Sequence, residues 1–589
     1  MFDVTRRAML ASTFVAGACV ASAATGSLTA DGASNPAMLR LFKSTDGVNL
    51  PPKGAGKMKF SFSSPEPSVE FGGLFFAFEV VTFENNYSVD PASVSVERSG
   101  DALRLTATRL RWAGGQEMRD GQLSAQLRRT ADGAIEWEVS ASLDVPVKSL
   151  KTIIRGVPRG RISTAAEQWR DIGEDEFVCE YPALLGGMAT PFVAIDGQDG
   201  RCWGISALQT EVRPARFALF PGAEGYKVEL IYEQAGWDRK GDVRSCTWRL
   251  MPARDFATAA GAHFAAVQRN WNLPAFTERA DAPAWMKQLA LVVSLHGEHW
   301  TGYIYNDFAR QLEILRWIAK QIDPKTVMIF LAGWDGRYYW DYPQFEVGER
   351  LGGAAAFERL IREGRKLGFR FAMMFGSNIA NPDGPGFDKI ADARIHSIYR
   401  DPFPGDYVDW DGDRKGDGSM VFMNLAVSSW RNHLADRIST MIKRYPVDAY
   451  FLDICGLWEN NLSGDMLLGV KQLVETLAQR LPGVPAIAEM HIDAQMGFIP
   501  MNQVSRYPLY PQANFDVVAS FHHLSWPAPG RGSTGVHEYG FNQYRPVTLD
   551  QPQIPTITFV DDTFSDQREA VMRDVATAKQ RFAKRGART

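Results

Sequence analysis

Two acidic residues, Asp453 and Glu489, each end a short apolar run of the sequence, at 447–453 and 484–489. Such runs are typical of buried parallel strands. Barrel enzymes place catalytic groups where these strands end and the next loop begins. An amphipathic stretch and a Pro-Gly turn lie between the two acids, which predicts one strand-helix-strand unit with both acids on the same rim. Two carboxylates on one rim, with aromatic residues nearby, indicate the chemistry of glycoside hydrolysis.

The two acids suit different roles in that chemistry. Asp453 is the candidate nucleophile, because an ionised carboxylate held at a strand end can attack an anomeric carbon. Glu489 is the candidate general acid/base, a role that needs a pKa raised by burial and by a neighbouring carboxylate. Retention requires carboxyl groups about 5–5.5 Å apart and inversion about 6.5–9.5 Å. The alternative is that one acid is a structural rim residue paired with an arginine.

The other predicted strand ends also carry polar and aromatic side chains. Such a mixture suits a sugar, because Asp, Asn and His bind hydroxyl groups and Trp stacks on C–H surfaces. Asp335 is the best candidate for a substrate hydroxyl, and any single histidine could instead be a core or rim residue. The predicted substrate-binding residues are His296, Trp300, Trp334, Asp335, Asn378, Trp458, His491, His522, Trp526 and Asp561.

Metal ions have two candidate locations in the sequence. Several histidines could converge on the barrel rim, but His296 and His299 do not have the helical His-Glu-x-x-His spacing of a zinc site. We therefore predict no catalytic metal, and a metal-dependent barrel hydrolase remains an alternative. The carboxylates of Asp409, Asp411 and Asp413 alternate as in a calcium loop, although the sequence departs from the EF-hand pattern and a solvated acidic loop is the alternative.

Composition narrows the class of protein. The chain has 589 residues, enough for two or more domains, and 45% are hydrophobic. Its formal net charge of -4 argues against a nucleic-acid partner. The 16 tryptophans suit a protein that binds sugars, so we expect an oligosaccharide or polysaccharide substrate.

The first residues resemble a targeting segment. Arg6 and Arg7 followed by an apolar run at 8–20 resemble a twin-arginine export signal, and residues 21–23 suit cleavage. The apolar run is too short to span a bilayer. We predict a periplasmic or secreted protein without a membrane span, with a lipid anchor at Cys19 as a minor alternative.

The remaining sequence predicts two folded domains. Period-two alternation over 38–275 predicts an N-terminal antiparallel β-sandwich. Alternating strands and helices over 276–589 predict a (β/α)8 TIM barrel, after an export signal and linker at 1–37. The predicted barrel strands lie at 289–295, 327–331, 369–375, 447–453, 484–489, 515–521 and 554–560, with the seventh unit poorly defined.

This layout resembles retaining α-glycosidases with an α-amylase-like barrel. It is closer to the endo-α-N-acetylgalactosaminidase-type glycoside hydrolases. The resemblance implies that the acid ending strand four, Asp453, is the nucleophile and that the acid ending strand five, Glu489, is the acid/base. The chain departs from the α-amylases at Phe451, where they carry an arginine two positions before the nucleophile. The resulting prediction is a secreted retaining glycoside hydrolase acting on α-linked sugars, and the alternative from another class is a non-catalytic carbohydrate-binding protein.

Overall fold

The computed structural model describes most of the two predicted domains. The described residues are 39–43, 65–112, 115–164, 169–182, 188–223, 225–299, 302–337, 341–398, 420–489, 492–504, 517–522, 527–528, 532–533, 553–560 and 563–586.

The first domain is antiparallel β-structure. Its strands are β1 (Leu39–Lys43), β2 (Pro65–Phe71), β3 (Leu74–Thr82), β4 (Asn86–Val89), β5 (Val94–Ser99), β6 (Ala102–Trp112), β7 (Glu117–Arg129), β8 (Ile135–Ser142), β9 (Val147–Val157), β10 (Gly160–Ser163), β11 (Phe177–Tyr181), β12 (Phe192–Gly197), β13 (Cys202–Leu208), β14 (Ala215–Gly222), β15 (Gly225–Glu233), β16 (Asp242–Arg244) and β17 (Thr247–Ala253).

These strands form two antiparallel runs. One run has the order β1-β2-β3-β9-β15-β14-β11. The other has the order β5-β6-β7-β8-β17-β13-β12-β10. Strand β4 pairs with β3 and β6 and so joins the runs, and β16 pairs with β8 beside β17.

The two runs share one hydrophobic core. Phe76 of the first run meets Trp137 of the second edge to face, with ring centroids 5.4 Å apart. Phe217 and Trp248 repeat this contact at 5.5 Å. Alternate residues of each strand point into this core, which explains the alternation of apolar and polar residues in the sequence.

Helix α1 (Phe256–Trp271) covers one end of this domain and leads toward the barrel. Asp255 caps its first turn by accepting the Thr258 N–H. Asn272 ends it in the left-handed conformation at φ 52°. A short helix, α2 (Ala284–Lys287), precedes the first barrel strand.

The second domain is built on eight parallel strands. Neighbouring strands pair in parallel register around the sheet, and the first strand also pairs with the last. An isolated parallel bridge between Phe521 and Ile554 links the seventh strand to the residues just before the eighth. The predicted parallel barrel is confirmed in these strands. They are β18 (Leu291–His296), β19 (Val327–Ala332), β20 (Arg370–Gly376), β23 (Ala449–Asp453), β24 (Ala486–Glu489), β25 (Met501–Val504), β26 (Ala519–His522) and β29 (Thr556–Phe559).

Helices follow most of these strands, with short hairpins between them. The helices are α3 (Phe308–Ile318), α4 (Gly353–Leu367), α5 (Ser428–Arg444), α6 (Met466–Arg480) and α7 (Arg568–Gly586). The hairpins pair β21 (Ile379–Ala380) with β22 (Val421–Phe422), and β27 (Pro527–Ala528) with β28 (Gly532–Ser533). The side chains of Asp307 and Asp465 cap α3 and α6, which explains where these two helices begin.

One predicted strand was placed wrongly in the order. Strand β25 is the sixth barrel strand, and the predicted sixth strand at 515–521 is the seventh, β26, in the part that the structure describes. The sequence Met501-Asn502-Gln503-Val504 has two amides at its centre, so it does not read as an apolar run. Its neighbours β24 and β26 supply the hydrogen bonds that make it a strand.

The barrel interior fixes the direction of the strand-end side chains. Phe330, Phe451 and Phe521 meet across the barrel, with ring centroids 4.6 Å to 6.5 Å apart. Successive side chains alternate between faces, so Asp453 points into the same interior as Phe451. Residues in register on neighbouring parallel strands point to the same face of the sheet. Glu489 is in register with Gln503, and Gln503 is in register with the inward-facing Phe521. Asp453 and Glu489 therefore both rise from the inward layer of the barrel.

No described helix is both long and apolar enough to cross a membrane.

Replacing Phe451 with alanine should destabilise the barrel. The side chain is fully buried, so its loss leaves a cavity that costs about 3–5 kcal/mol. Urea unfolding followed by tryptophan fluorescence should show a lower midpoint. Phe451→Leu is the matched control and should lose much less, and equal stability of Phe451→Ala and the parent would contradict this packing.

Candidate active site

The two candidate catalytic acids end neighbouring parallel strands and touch each other. Asp453 is 6% exposed and Glu489 is 7% exposed, so each keeps a small opening. Their carboxyl groups share a hydrogen bond. The backbone N–H of Ile454 donates to Oε2 of Glu489 over 2.7 Å. The sequence spacing therefore brings the two acids together as predicted.

Ile454 makes this contact from a strained backbone conformation. Its φ is 56°, in the left-handed region that a β-branched residue rarely adopts. Such conformations persist where surrounding contacts impose them, and they cluster at functional sites. Here the sharp turn directs the Ile454 N–H at Glu489 immediately after Asp453.

The loop after strand β20 holds the Asp453 backbone. Ser377 donates to the Asp453 carbonyl oxygen twice, from its N–H over 3.1 Å and from Oγ over 2.6 Å. Trp430 in turn donates from Nε1 to the Ser377 carbonyl over 2.7 Å. Asn378 donates from Nδ2 to the Ile454 carbonyl over 2.9 Å and is fully buried. Through Nδ2 Asn378 positions the turn, while its Oδ1 has no hydrogen-bond partner among the described residues, so its role in binding substrate stays a prediction.

Burial raises the pKa of Glu489, and its hydrogen bonds with Asp453 and with the Ile454 N–H oppose that rise. A carboxyl group with a raised pKa can hold a proton near neutral pH, which a general acid must do. The neighbouring thiol of Cys455 has its pKa raised by burial and by the charges of Glu489 and Asp453. It therefore stays a neutral, packed side chain.

Asp335 lies in the loop after strand β19 and is buried beside the pair. It is 3% exposed, and no other described residue forms a hydrogen bond with either carboxyl oxygen. Burial raises the pKa of Asp335 well above its usual value, a hydrogen bond from its own backbone N–H opposes the rise, and the charges of Asp341, Asp453 and Glu298 add to it. A buried carboxyl group needs a partner. This observation suits the predicted role of Asp335 as a ligand for a substrate hydroxyl.

Glu298 is a nearby acid that the sequence-based site did not include. It is 2% exposed, and Arg350 forms an ion pair with it. Burial raises its pKa, the Arg350 charge lowers it, and the Asp341 charge raises it. Glu298 comes two residues after the end of strand β18, so the rule that selected His296 could have found it.

His296 ends strand β18 in the inward layer. Its ring meets Tyr305 edge to face, with centroids 5.1 Å apart. Burial lowers its pKa to about 4, so the imidazole is neutral at neutral pH. A neutral imidazole can donate and accept hydrogen bonds, which is consistent with the predicted contact to a sugar hydroxyl.

Two tryptophans predicted to stack on substrate lie in hydrophobic cores instead. Trp334 is 1% exposed, packs against Phe357 and Phe375, and donates from Nε1 to the Met374 carbonyl over 2.6 Å. Trp458 is 2% exposed and meets Trp237 of the first domain at 6.2 Å. Neither ring offers an open face, so the stacking role was wrong for both. The sequence alone does not show whether a tryptophan that follows a strand packs into a hydrophobic core or faces a cleft.

Several predicted site residues lie outside the described residues: Trp300, His491, Trp526, Asp561 and the calcium candidates Asp409, Asp411 and Asp413. The backbone of His522 ends strand β26, but its side chain is not among those described. These assignments stay predictions. Among the described residues, no three His, Cys, Asp or Glu side chains group as metal ligands.

The first domain braces the loop that follows Glu489. Asp493 is 2% exposed and accepts hydrogen bonds from Tyr181 Oη at 2.5 Å and Thr190 Oγ1 at 3.0 Å. The Asp493 N–H donates to the Ala189 carbonyl over 2.8 Å. Two residues on, Gln495 donates to the Cys455 carbonyl over 2.8 Å. The two strand-end loops are thus tied to each other and to the first domain.

Comparison with known proteins places this fold among α-glycosidase structures. No family model and no curated protein sequence matches the chain. Among solved structures it is similar to the ligand-free α-N-acetylgalactosaminidase NagBb from Bifidobacterium bifidum, with 13% identity over 92% of each chain and a TM-score of 0.65. The same enzyme in complex with GalNAc gives 14% identity, a TM-score of 0.56, and coverage of 79% of this chain and 77% of that chain. The predicted resemblance to barrel α-glycosidases is confirmed in the fold.

Asp493 should make stability depend on pH. Burial raises its pKa to about 6, above its unfolded value near 3.9, so the folded state binds the extra proton. The free energy of unfolding therefore falls as pH rises from the unfolded pKa through the folded one, by about 2 kcal/mol between pH 4.5 and 7. Asp493→Asn keeps the shape of the side chain and removes the titration.

Urea unfolding of the parent and Asp493→Asn at the two pH values measures this effect. The parent should lose more stability than the variant on going to pH 7, and the surface variant Asp436→Asn serves as the control. An identical pH dependence in parent and Asp493→Asn would show that Asp493 does not titrate in this range.

Proposed function

We propose that this protein is a retaining glycoside hydrolase acting on α-linked sugars. The observation that carries the proposal is the direct contact of Asp453 and Glu489 at neighbouring strand ends of a parallel barrel. In the free enzyme the hydrogen bond holds the two carboxyl groups closer than either mechanism requires, and it leaves no room for the water molecule that inversion needs, so the arrangement favours retention.

Asp453 is the nucleophile in this proposal. Its carboxylate attacks the anomeric carbon and forms a glycosyl-enzyme as the glycosidic bond breaks. Ser377 holds the Asp453 backbone by two hydrogen bonds, and the strand beneath is buried, so the carboxylate has little freedom to move. This positioning lowers the entropic cost of attack.

Glu489 is the acid and then the base. It gives its proton to the leaving oxygen in the first step and takes a proton from water in the second. Burial favours the protonated form before the first step. Once Asp453 is esterified, its negative charge is gone and the ionised form of Glu489 becomes easier to reach.

The substrate class rests on the fold and on Asp335. The similar solved enzyme is named for removing α-linked N-acetylgalactosamine, so α-GalNAc and α-galactosyl groups are the first candidates. The unpartnered Asp335 carboxyl suits a sugar hydroxyl beside the catalytic pair.

Cellular location and domain architecture complete the proposal. Arg6, Arg7 and the apolar run after them support export through the twin-arginine route to the periplasm or beyond. The edge-to-face contact of Phe76 in one run of strands with Trp137 in the other supports a sandwich for the first domain.

Asp453→Asn and Glu489→Gln should both impair hydrolysis without unfolding the protein. Asp453→Asn should lose turnover on every α-glycoside, because no glycosyl-enzyme can form. Glu489→Gln should lose roughly 10²–10⁴-fold on an alkyl glycoside, which needs protonation of its leaving group. The loss should be much smaller on a 2,4-dinitrophenyl glycoside, whose leaving group needs no proton.

Initial rates with alkyl and aryl α-GalNAc and α-galactosides measure these effects. Glu475→Gln, on the exposed face of α6, is the matched control and should keep full activity. Full turnover by both site variants would refute the mechanism. Binding of these glycosides by the parent without any product would favour a carbohydrate-binding protein.

The pH dependence of kcat/KM should report Glu489. The raised pKa keeps this group protonated above its ordinary value of 4.5, and activity should fall as pH rises through the raised pKa. Glu489→Gln should lack this alkaline limb on the dinitrophenyl substrate. An unchanged alkaline limb in that variant would assign it to another group.

A further inference from the structure

A cleft in the first domain lies outside the candidate active site. It is open to solvent and has a volume of about 510 Å³. Its floor is the outward face of β7, β8 and β16, and its wall includes Arg213, Tyr232 and Gln234. No predicted site residue lines it.

The cleft floor is a regular array of small polar groups. In the strand register, Gln122, Ser142 and Asp242 form one row, and Ser124, Ser140 and Arg244 form the next. The side chains of Gln122, Ser124, Ser140 and Ser142 make no hydrogen bond to any other described residue. Hydroxyl and amide groups that can both donate and accept are therefore presented in two parallel rows.

Most of the charged side chains around the cleft form ion pairs. Three acidic and three basic side chains line it in the described structure. Arg213 pairs with Glu211 at 2.8 Å, and Lys240 pairs with Asp238 at 2.6 Å. Arg244 pairs with Glu138 just outside the lining. Asp242 is left without an ion pair among the described residues, so the cleft carries a slight excess of negative charge and disfavours an anionic ligand.

The cleft is also connected to the barrel loop that follows Asp453. Arg213 reaches Asp465, the residue that caps α6, at 3.5 Å. The Arg213 guanidinium lies over the Trp237 ring at 5.2 Å, and Trp237 packs on Trp458. A ligand in the cleft would thus contact a wall joined to the loop at the candidate active site.

We infer that this cleft binds a neutral oligosaccharide as an accessory site. Its neutral donors and acceptors match sugar hydroxyl groups, and the Tyr232 ring on its wall can contact sugar C–H groups. Binding there does not require hydrolysis in the barrel, so this inference does not rest on the proposed function.

Isothermal titration of the full chain carrying Asp453→Asn tests the inference, because that substitution prevents consumption of the probe. The probes are four neutral tetrasaccharides, namely stachyose, maltotetraose, cellotetraose and chitotetraose, with tetragalacturonate as an acidic comparison. At least one neutral probe should bind and tetragalacturonate should bind at least tenfold more weakly. No neutral binding, or equal binding of the acidic probe, would overturn the inference.

Two substitutions then locate the binding. Gln122→Ala removes an exposed amide, and Ser140→Tyr fills the floor with a side chain that strands tolerate. Each should raise the Kd at least tenfold. Gln126→Ala, an exposed residue further along the same strand and outside the cleft, is the matched control and should leave the Kd unchanged.

Thermal unfolding checks that each variant is folded. Gln122→Ala shortens a side chain and Ser140→Tyr lengthens one, so the two substitutions would disturb folding for different reasons and one variant can serve if the other does not fold. Unchanged affinity in both folded variants would place the binding elsewhere and overturn the inference. Oligosaccharide binding at the cleft together with no glycoside hydrolysis would refute the proposed function and leave this inference standing.

Discussion

The contact between Asp453 and Glu489 is the constraint on which the candidate site depends. Parallel pairing of β23 with β24 sets the two strand ends side by side, and the left-handed turn at Ile454 directs a backbone N–H to the second acid. Two buried carboxyl groups at this distance cannot both be ionised without a large cost. Burial raises the pKa of Glu489 in this pair, and a raised pKa is what a carboxyl group needs to act as a general acid.

The rest of the structure holds this pair in place from two sides. Within the barrel, Ser377 and Asn378 fix the carbonyl oxygens of Asp453 and Ile454. From the first domain, Tyr181 and Thr190 fix Asp493 in the next loop. These contacts make the first domain part of the support of the candidate site.

Much of this arrangement was predictable from sequence, and the reasons for the failures are physical. The apolar runs ending at Asp453 and Glu489 predicted adjacent strands, because burial on both faces leaves a clear signal. Strand β25 was missed because two amides interrupt its pattern. The stacking roles predicted for Trp334 and Trp458 were wrong because the packing around a tryptophan, and not its residue type, decides whether a ring face is left open. The Tyr181–Asp493 contact joins residues far apart in sequence, and no local pattern could indicate it.

The most direct test of the account is to trap the glycosyl-enzyme. Incubation with a 5-fluoro-α-glycosyl fluoride of the best-hydrolysed sugar, followed by proteolysis and mass spectrometry, should find one sugar attached to the peptide that contains Asp453. The Asp453→Asn variant should remain unlabelled. Labelling at another carboxylate, or no label while the same compound is hydrolysed with inversion, would contradict the assignment of Asp453 as the nucleophile.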